Sequence, residues 1–294
     1  MKQRTLLALA CAALAGSSAT AYALMIALPP APTRVATATA AYVGKVTEVA
    51  DKAVKAEMFK GDERELKIAK VKVTETILGK GAREVKVGYF VPMPIRGGGR
   101  PIRPGLGRGM GPQLSKDMEG VFMLHKHPTM KDVYVFADFQ GFVQKTGNPG
   151  FDGELKTMKE TAKLLADPMK GLKSKDAAER LKTASLLVSR YRTQPPGEAP
   201  KTEDVPAEQT KLILGVIADS DWNARGGRFG EPNAQQMFYQ LGLTPKDGWE
   251  QPRDFTKTQE AAKKWLKDNA EKYKMKRFVR DEGGPSEEPG APAK

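Results

Sequence analysis

The spacing of the apolar residues changes at Gly150, and that change limits the fold more than any other feature of the chain. Before it, apolar and polar residues alternate. Ala69, Val71 and Val73 fall on one side of an extended chain, and Lys70, Lys72 and Thr74 on the other, the pattern of a half-buried strand. Val85, Val87, Tyr89 and Val91 repeat it. Ala41 to Ala50 reads as a further strand whose imperfect alternation predicts a bulge near Gly44. Val121 to Leu124 is continuously apolar, as in a strand covered on both faces. Asp132 to Ala137 follows a short turn, so the two are expected to form a hairpin, with Phe139 to Val143 as a last strand. Five or six strands in about a hundred residues suffice for a small barrel or sandwich.

After Gly150 the period is helical. Ala177, Leu181, Ala184, Leu187, Val188 and Tyr191 mark one face of a helix. Leu155 to Leu165 reads as the helix before it, and Asp167-Pro168 starts a short piece ending near Leu172. Glu208 to Ala218 and Pro232 to Leu241 are two more helices, with Pro195 to Pro206 as a linker. Thr256 and Gln259 have capping-box spacing ahead of a helix through Trp265 and Leu266. Strands followed by helices predict an α+β chain, and 294 residues suit two domains. We expect a β-barrel over residues 35–146, an α-helical domain over 152–280 and a disordered tail over 281–294.

The N-terminus bears on the compartment. Lys2 and Arg4 precede an uncharged stretch whose most apolar part is Leu6 to Ala15, and small residues follow. Ala21-Tyr22-Ala23 fits a small-x-small cleavage pattern, so residues 1–23 read as a secretory signal peptide, followed by a stiff Pro29, Pro30 and Pro32 linker over 24–34. The alternatives are an uncleaved membrane anchor extending to Leu28 and lipidation at Cys11. Cys11 is the single cysteine, which excludes an intrachain disulfide scaffold and zinc fingers. The formal charge of +13 favours polyanionic partners, and export to the envelope or the outside sets intracellular nucleic acid aside.

The cadence Tyr42-Val43-Gly44-Lys45-Val46-Thr47-Glu48-Val49, then Val71-Lys72-Val73-Thr74-Glu75-Thr76-Ile77-Leu78-Gly79-Lys80-Gly81 and Val85-Lys86-Val87-Gly88 resembles the OB-like barrel of netrin-type and tissue-inhibitor-of-metalloproteinase-like modules. The resemblance implies a small OB-like antiparallel β-barrel. The inhibitors of that group act through an N-terminal cysteine, and no Cys follows Cys11, so that activity does not carry over. The stretch from Leu172 through Tyr191 resembles one HEAT-type helical repeat, without a second copy at fixed spacing.

Reactive motifs are sparse. His125 and His127 are the only histidines, and two residues apart on a strand they share a face. With Asp132 or Asp138 they are the candidate metal site and the basis of a metal-dependent hydrolase reading. Pro128 favours a plainer role at a strand end. No Gly-x-Ser-x-Gly elbow, P-loop or dinucleotide fingerprint occurs, and no cofactor is expected. Residues 92–112 form a Gly- and Pro-rich segment with Arg96, Arg100, Arg103 and Arg108 and no acid, read as a mobile loop between strands. Arginine makes bidentate contacts with phosphate, sulfate and carboxylate, so these four are the candidate polyanion contacts. The expected function is therefore an exported, non-catalytic binding or scaffold protein. Its partner would be an anionic polymer or an acidic or other exported protein. The competing readings are the hydrolase and a purely structural interaction module.

Overall fold

A computed structural model describes residues 29–59, 61–91, 111–138, 140–197, 201–223 and 233–280 of the chain. It is α+β, with a largely antiparallel mixed sheet and seven helices among those residues. The expected signal peptide and disordered tail, and Arg96, Arg100, Arg103 and Arg108, lie outside them. No helix among the described residues is long and apolar enough to cross a membrane.

The first element corrects the sequence reading. The Pro-rich stretch expected to be a linker continues as helix α1 (Ala31–Thr37). Proline fits the first helical turn, where its missing N–H would have had no partner, so Pro32 starts a helix as readily as it stiffens a linker. Then come β1 (Ala40–Val49), β2 (Val54–Glu57), β3 (Glu63–Leu78), β4 (Glu84–Phe90), β5 (Glu119–Lys126), β6 (Val133–Phe136) and β7 (Phe142–Gln144). Strand β1 pairs antiparallel with both β3 and β5. Strand β3 pairs with β2 and β4, β4 runs parallel to β6, and β5 pairs with β6 and β7. The hairpin of β5 and β6 is the one that the sequence predicts, with Leu124 opposite Phe136.

The expected bulge is present: the β1–β3 register slips between Val43 and Gly44. Glycine is required there, because a Cβ would come 2.7 Å from both the Lys72 carbonyl oxygen and Val71 Cγ1. Strand β5 is covered on both faces, as its unbroken apolar run predicts. Phe122 and Leu124 join Tyr42, Val71, Val87, Tyr89 and Tyr134 in one core. Val121 and Met123 join Val35 of α1, Ala38 just after it, Phe151 and Met158 in another. Burying each such side chain contributes about 1.5–3 kcal/mol.

The helical part contains α2 (Phe151–Ala166), α3 (Pro168–Leu172), α4 (Ala177–Arg192), α5 (Ala207–Asp219), α6 (Ala234–Gln240) and α7 (Thr258–Asn269). Asp167 and Asp176 cap α3 and α4, their carboxylates accepting N–H bonds from Lys170 at 3.2 Å and Ala178 at 2.9 Å. Ahead of α7 the capping differs from the predicted Thr256–Gln259 box. Asp254 starts a 3-10 turn (Phe255–Lys257) and accepts from both the N–H and the hydroxyl of Thr256, an acceptor nearer than Gln259. The expected 195–206 linker also contains a strand, β8 (Thr202–Asp204), paired with β9 (Lys276–Phe278). Trp222 and Trp265 are buried with Phe238 in the helical core, and Trp249 packs against it.

Arginines fasten the helices to the sheet. Arg190 Nη1 of α4 donates to the carbonyls of Ala36 at 2.9 Å and Ala38 at 3.0 Å, at the end of α1. Arg280 donates to the carbonyls of Thr37, Arg190 and Thr193. Arg34 of α1 donates to the carbonyl of Gln140, between β6 and β7, and lies 3.6 Å from Glu154 of α2. Helix ends leave carbonyls without intrahelical partners, and guanidinium groups satisfy them here.

Candidate functional site

The two histidines are buried, at 4% and 5% exposure, and serve different ends. His127 closes a turn. Its Nδ1 accepts the backbone N–H groups of Met130 at 3.0 Å and Thr129 at 3.2 Å, so the ring proton belongs on Nε2. Burial lowers its pKa from the ordinary value of 6.5. This is the strand-end role that Pro128 suggested.

His125 lies two residues back on β5, opposite Val135 of β6, on the face of Val121 and Met123. Its Nδ1 is buried and makes no hydrogen bond. Burial, and then the positive charges of Arg280 and Arg190, push its pKa down to about 3. The ring is therefore neutral at physiological pH, with one nitrogen carrying a proton and the other a lone pair. An unbonded polar atom buried in this way costs about 1–3 kcal/mol, which marks the position as one to explain.

The candidate metal ligands of the sequence stand as follows. Among the described residues no three His, Cys, Asp or Glu side chains come together in a group that could hold a metal ion. Nδ1 of His127 is engaged in its turn. Asp138 accepts the N–H of Gln140 at 2.7 Å, and burial, the largest influence on it, raises its pKa. Asp132 stands in the turn itself with a left-handed backbone, φ 60°.

What the fold builds around His125 is a cavity of about 650 Å³. Its sheet side comes from His125, from Gly88, Tyr89 and Phe90 at the end of β4, and from Phe136 to Asp138 at the end of β6. Met58 and Phe59, after β2, form a second wall. Thr193 to Pro196, after α4, form a third. Half of the lining residues are aromatic, aliphatic or proline and six are polar or charged, a mixture of apolar wall and placed polar groups that small-molecule sites use. Arg64 also lines the cavity, with its guanidinium carbon 5.3 Å from the centre of the Phe90 ring and its Nε 2.9 Å from Asp62.

Sequence reasoning singled out His125 for a different chemistry and missed Arg190, Arg280 and the cavity. For Arg190 a signal existed. It falls three residues after Leu187 and four after Leu186, inside the buried face of α4. For Arg280, 90 residues further on, no local pattern marked its contacts. No protein-family model and no curated protein matches the chain.

Proposed function

We propose that this chain is an exported, non-catalytic binding protein that holds a small, largely apolar molecule in the cavity beside His125. The observation that carries the proposal is the cavity itself: about 650 Å³, with aromatic and proline walls drawn from the sheet and from the segment after α4. That volume suits one drug-sized ligand. Both carboxylates on its wall are engaged, Asp62 by Arg64 and Asp138 by the Gln140 N–H. On this reading the β-module is an OB-like barrel. The cyclic order β1, β3, β4, β6, β5 and back to β1, with β4 and β6 parallel, supports it. The packing of α4 against α3 and α5 supports the HEAT-type reading of that segment.

Export, to the periplasm, cell envelope or outside, rests on the charged, apolar and small-residue layout of residues 1–23. N-terminal sequencing of the mature protein beginning near Leu24 would agree with it, and an intact Met1 would overturn it. Arg96, Arg100, Arg103 and Arg108 remain the proposed contacts for an anionic polymer, supported by the +13 charge and the absence of acids in residues 92–112. Gly111, at the described end of that segment, lines the cavity. Changing all four arginines to Ser should weaken retention on immobilised heparin, and unchanged retention would count against them.

The cavity is tested with the uncharged fluorophore N-phenyl-1-naphthylamine. Saturable binding of one molecule per chain is expected. Thr193→Trp, which fills the cavity from the helical side while leaving the Thr193 carbonyl in place for Arg280, should abolish it without lowering Tm. Binding unchanged in that variant, or no saturable binding at all, would sink the proposal.

A further inference from the structure

We infer that the molecule held in the cavity carries a protonated amine, and that the carboxylate of Asp138 receives it. The inference rests on the cavity being the binding site and adds the chemistry of its ligand.

The charge of the wall leads to it. The chain as a whole carries 48 Lys and Arg against 35 Asp and Glu, yet the lining of the cavity reverses this balance. Asp62 and Asp138 stand there against one guanidinium, that of Arg64. Asp62 is the partner of Arg64, 2.9 Å from its Nε. Those two charges offset each other, and the charge of Asp138 is left over. Its Oδ1 accepts the N–H of Gln140 at 2.7 Å, and among the described residues its Oδ2 has no hydrogen-bond partner. A carboxylate has about four lone-pair sites, so most of this one is unused. Nδ1 of His125 also lacks a partner, but it is sealed by the atoms around it. Oδ2 of Asp138 is not sealed in this way, and it belongs to a residue that lines the cavity.

The arginines behind the wall leave this place open. Arg280 donates to the carbonyls of Arg190 and Thr193, and its charge and that of Arg190 bear on His125. The cation that bears on Asp138 is Arg34, which is not part of the lining. Arg34 is engaged by the Gln140 carbonyl and lies 3.6 Å from Glu154. Burial raises the pKa of Asp138, because its charged form has lost water. An ammonium N–H returns what water supplied, through a charge-assisted hydrogen bond that is stronger than a neutral one. The rings add to this. Phe59, Phe90 and Phe136 line the same space, and aromatic faces attract cations. Phe90 already holds one, the Arg64 guanidinium, 5.3 Å from its centre. A carboxylate on the ligand would meet repulsion from Asp138, and an uncharged ligand would leave its charge unpaired.

The experiment is calorimetric titration of the full chain at neutral pH with three matched probes: 2-naphthylmethylamine, which is then an ammonium ion, 2-naphthylmethanol and 2-naphthoate. The amine should bind about tenfold more tightly than the alcohol, and naphthoate least tightly. Asp138→Asn removes the charge and keeps an oxygen to accept the Gln140 N–H. It should bring the amine down to the affinity of the alcohol and leave the alcohol unchanged. If that variant does not fold, carbon-13 spectra of the wild-type carboxyl groups decide the matter, since the amine should shift the Asp138 signal and the alcohol should not. Alcohol or naphthoate binding as tightly as the amine, an amine preference that survives in Asp138→Asn, or an unmoved Asp138 signal would overturn the inference while leaving the cavity as a binding site. Binding of the uncharged fluorophore without binding of the amine would do the same. Failure of the fluorophore and all three probes to bind would overturn both.

Discussion

The two faces of β5 differ in kind. Phe122 and Leu124 point into a core formed by the sheet's own strands, with its tyrosines bonded: Tyr42 to the Lys80 carbonyl and Tyr89 to that of Leu114. Val121, Met123 and His125 point the other way, toward α1, α2 and the segment after α4. That face carries arginines on backbone carbonyls and an unbonded imidazole nitrogen, and at its end lies the 650 Å³ cavity, to whose wall Tyr89 of the inner core also contributes. A face that closes on neighbouring strands can fill completely, because those strands repeat one spacing. A face that meets helices from far along the chain leaves gaps at the joins, and gaps with a few polar groups are where ligands fit.

Substitutions on the two faces should therefore separate stability from binding. The largest effect is expected for Phe122→Ala, which empties the inner core next to Phe142, whose ring centre lies 4.7 Å away. Urea unfolding should show a loss of about 3–5 kcal/mol, with fluorophore binding intact in the folded fraction. A loss of binding without a loss of stability would erase the distinction between the faces. Arg190→Leu should cost about 2–4 kcal/mol, since the buried carbonyls of Ala36 and Ala38 would lose a charged donor.

His125 sharpens the comparison through pH. Its pKa is lower in the folded chain than in the unfolded one, so its contribution to stability is complete above about pH 6.5 and declines as pH falls toward 3. The wild type should lose up to about 1.4 kcal/mol per pH unit on this account, and His125→Phe should flatten that part of the slope. Unfolding curves between pH 6.5 and 4.5 provide the check, and equal slopes would refute the burial argument. The smallest effect belongs to the turn. His127→Ala removes the acceptor for two backbone N–H groups and should cost about 1–2 kcal/mol. His127→Asn, whose side-chain oxygen can accept in a tight turn, should recover part of that Tm.

Much of this molecule could be read residue by residue. The alternation at Ala69, Val71 and Val73, the bulge at Gly44 and the two-sided burial of Val121–Leu124 all appear where their spacing places them. So do α3, started at Asp167-Pro168, and α4. The departures share a cause. Proline at 30 and 32 is compatible with a stiff linker and with a helix start, and α1 is settled by packing against α2 and α4. Strand β8 is three exposed residues with no apolar pattern, and exists because β9, more than 70 residues later, supplies its hydrogen bonds.

The candidate site divides in the same way. Sequence alone marked His125 and His127 as chemically distinctive and placed them at the end of a strand, because residue type and period are local properties. Only the tertiary structure decided that one closes a turn through its Nδ1 while the other lies in the wall of a cavity. The walls around His125 come from β4, β6, the segment after β2 and the segment after α4, and its electrostatic surroundings from Arg190 and Arg280. Burial and the meeting of distant charges depend on where the chain returns in space, and no local spacing encodes that.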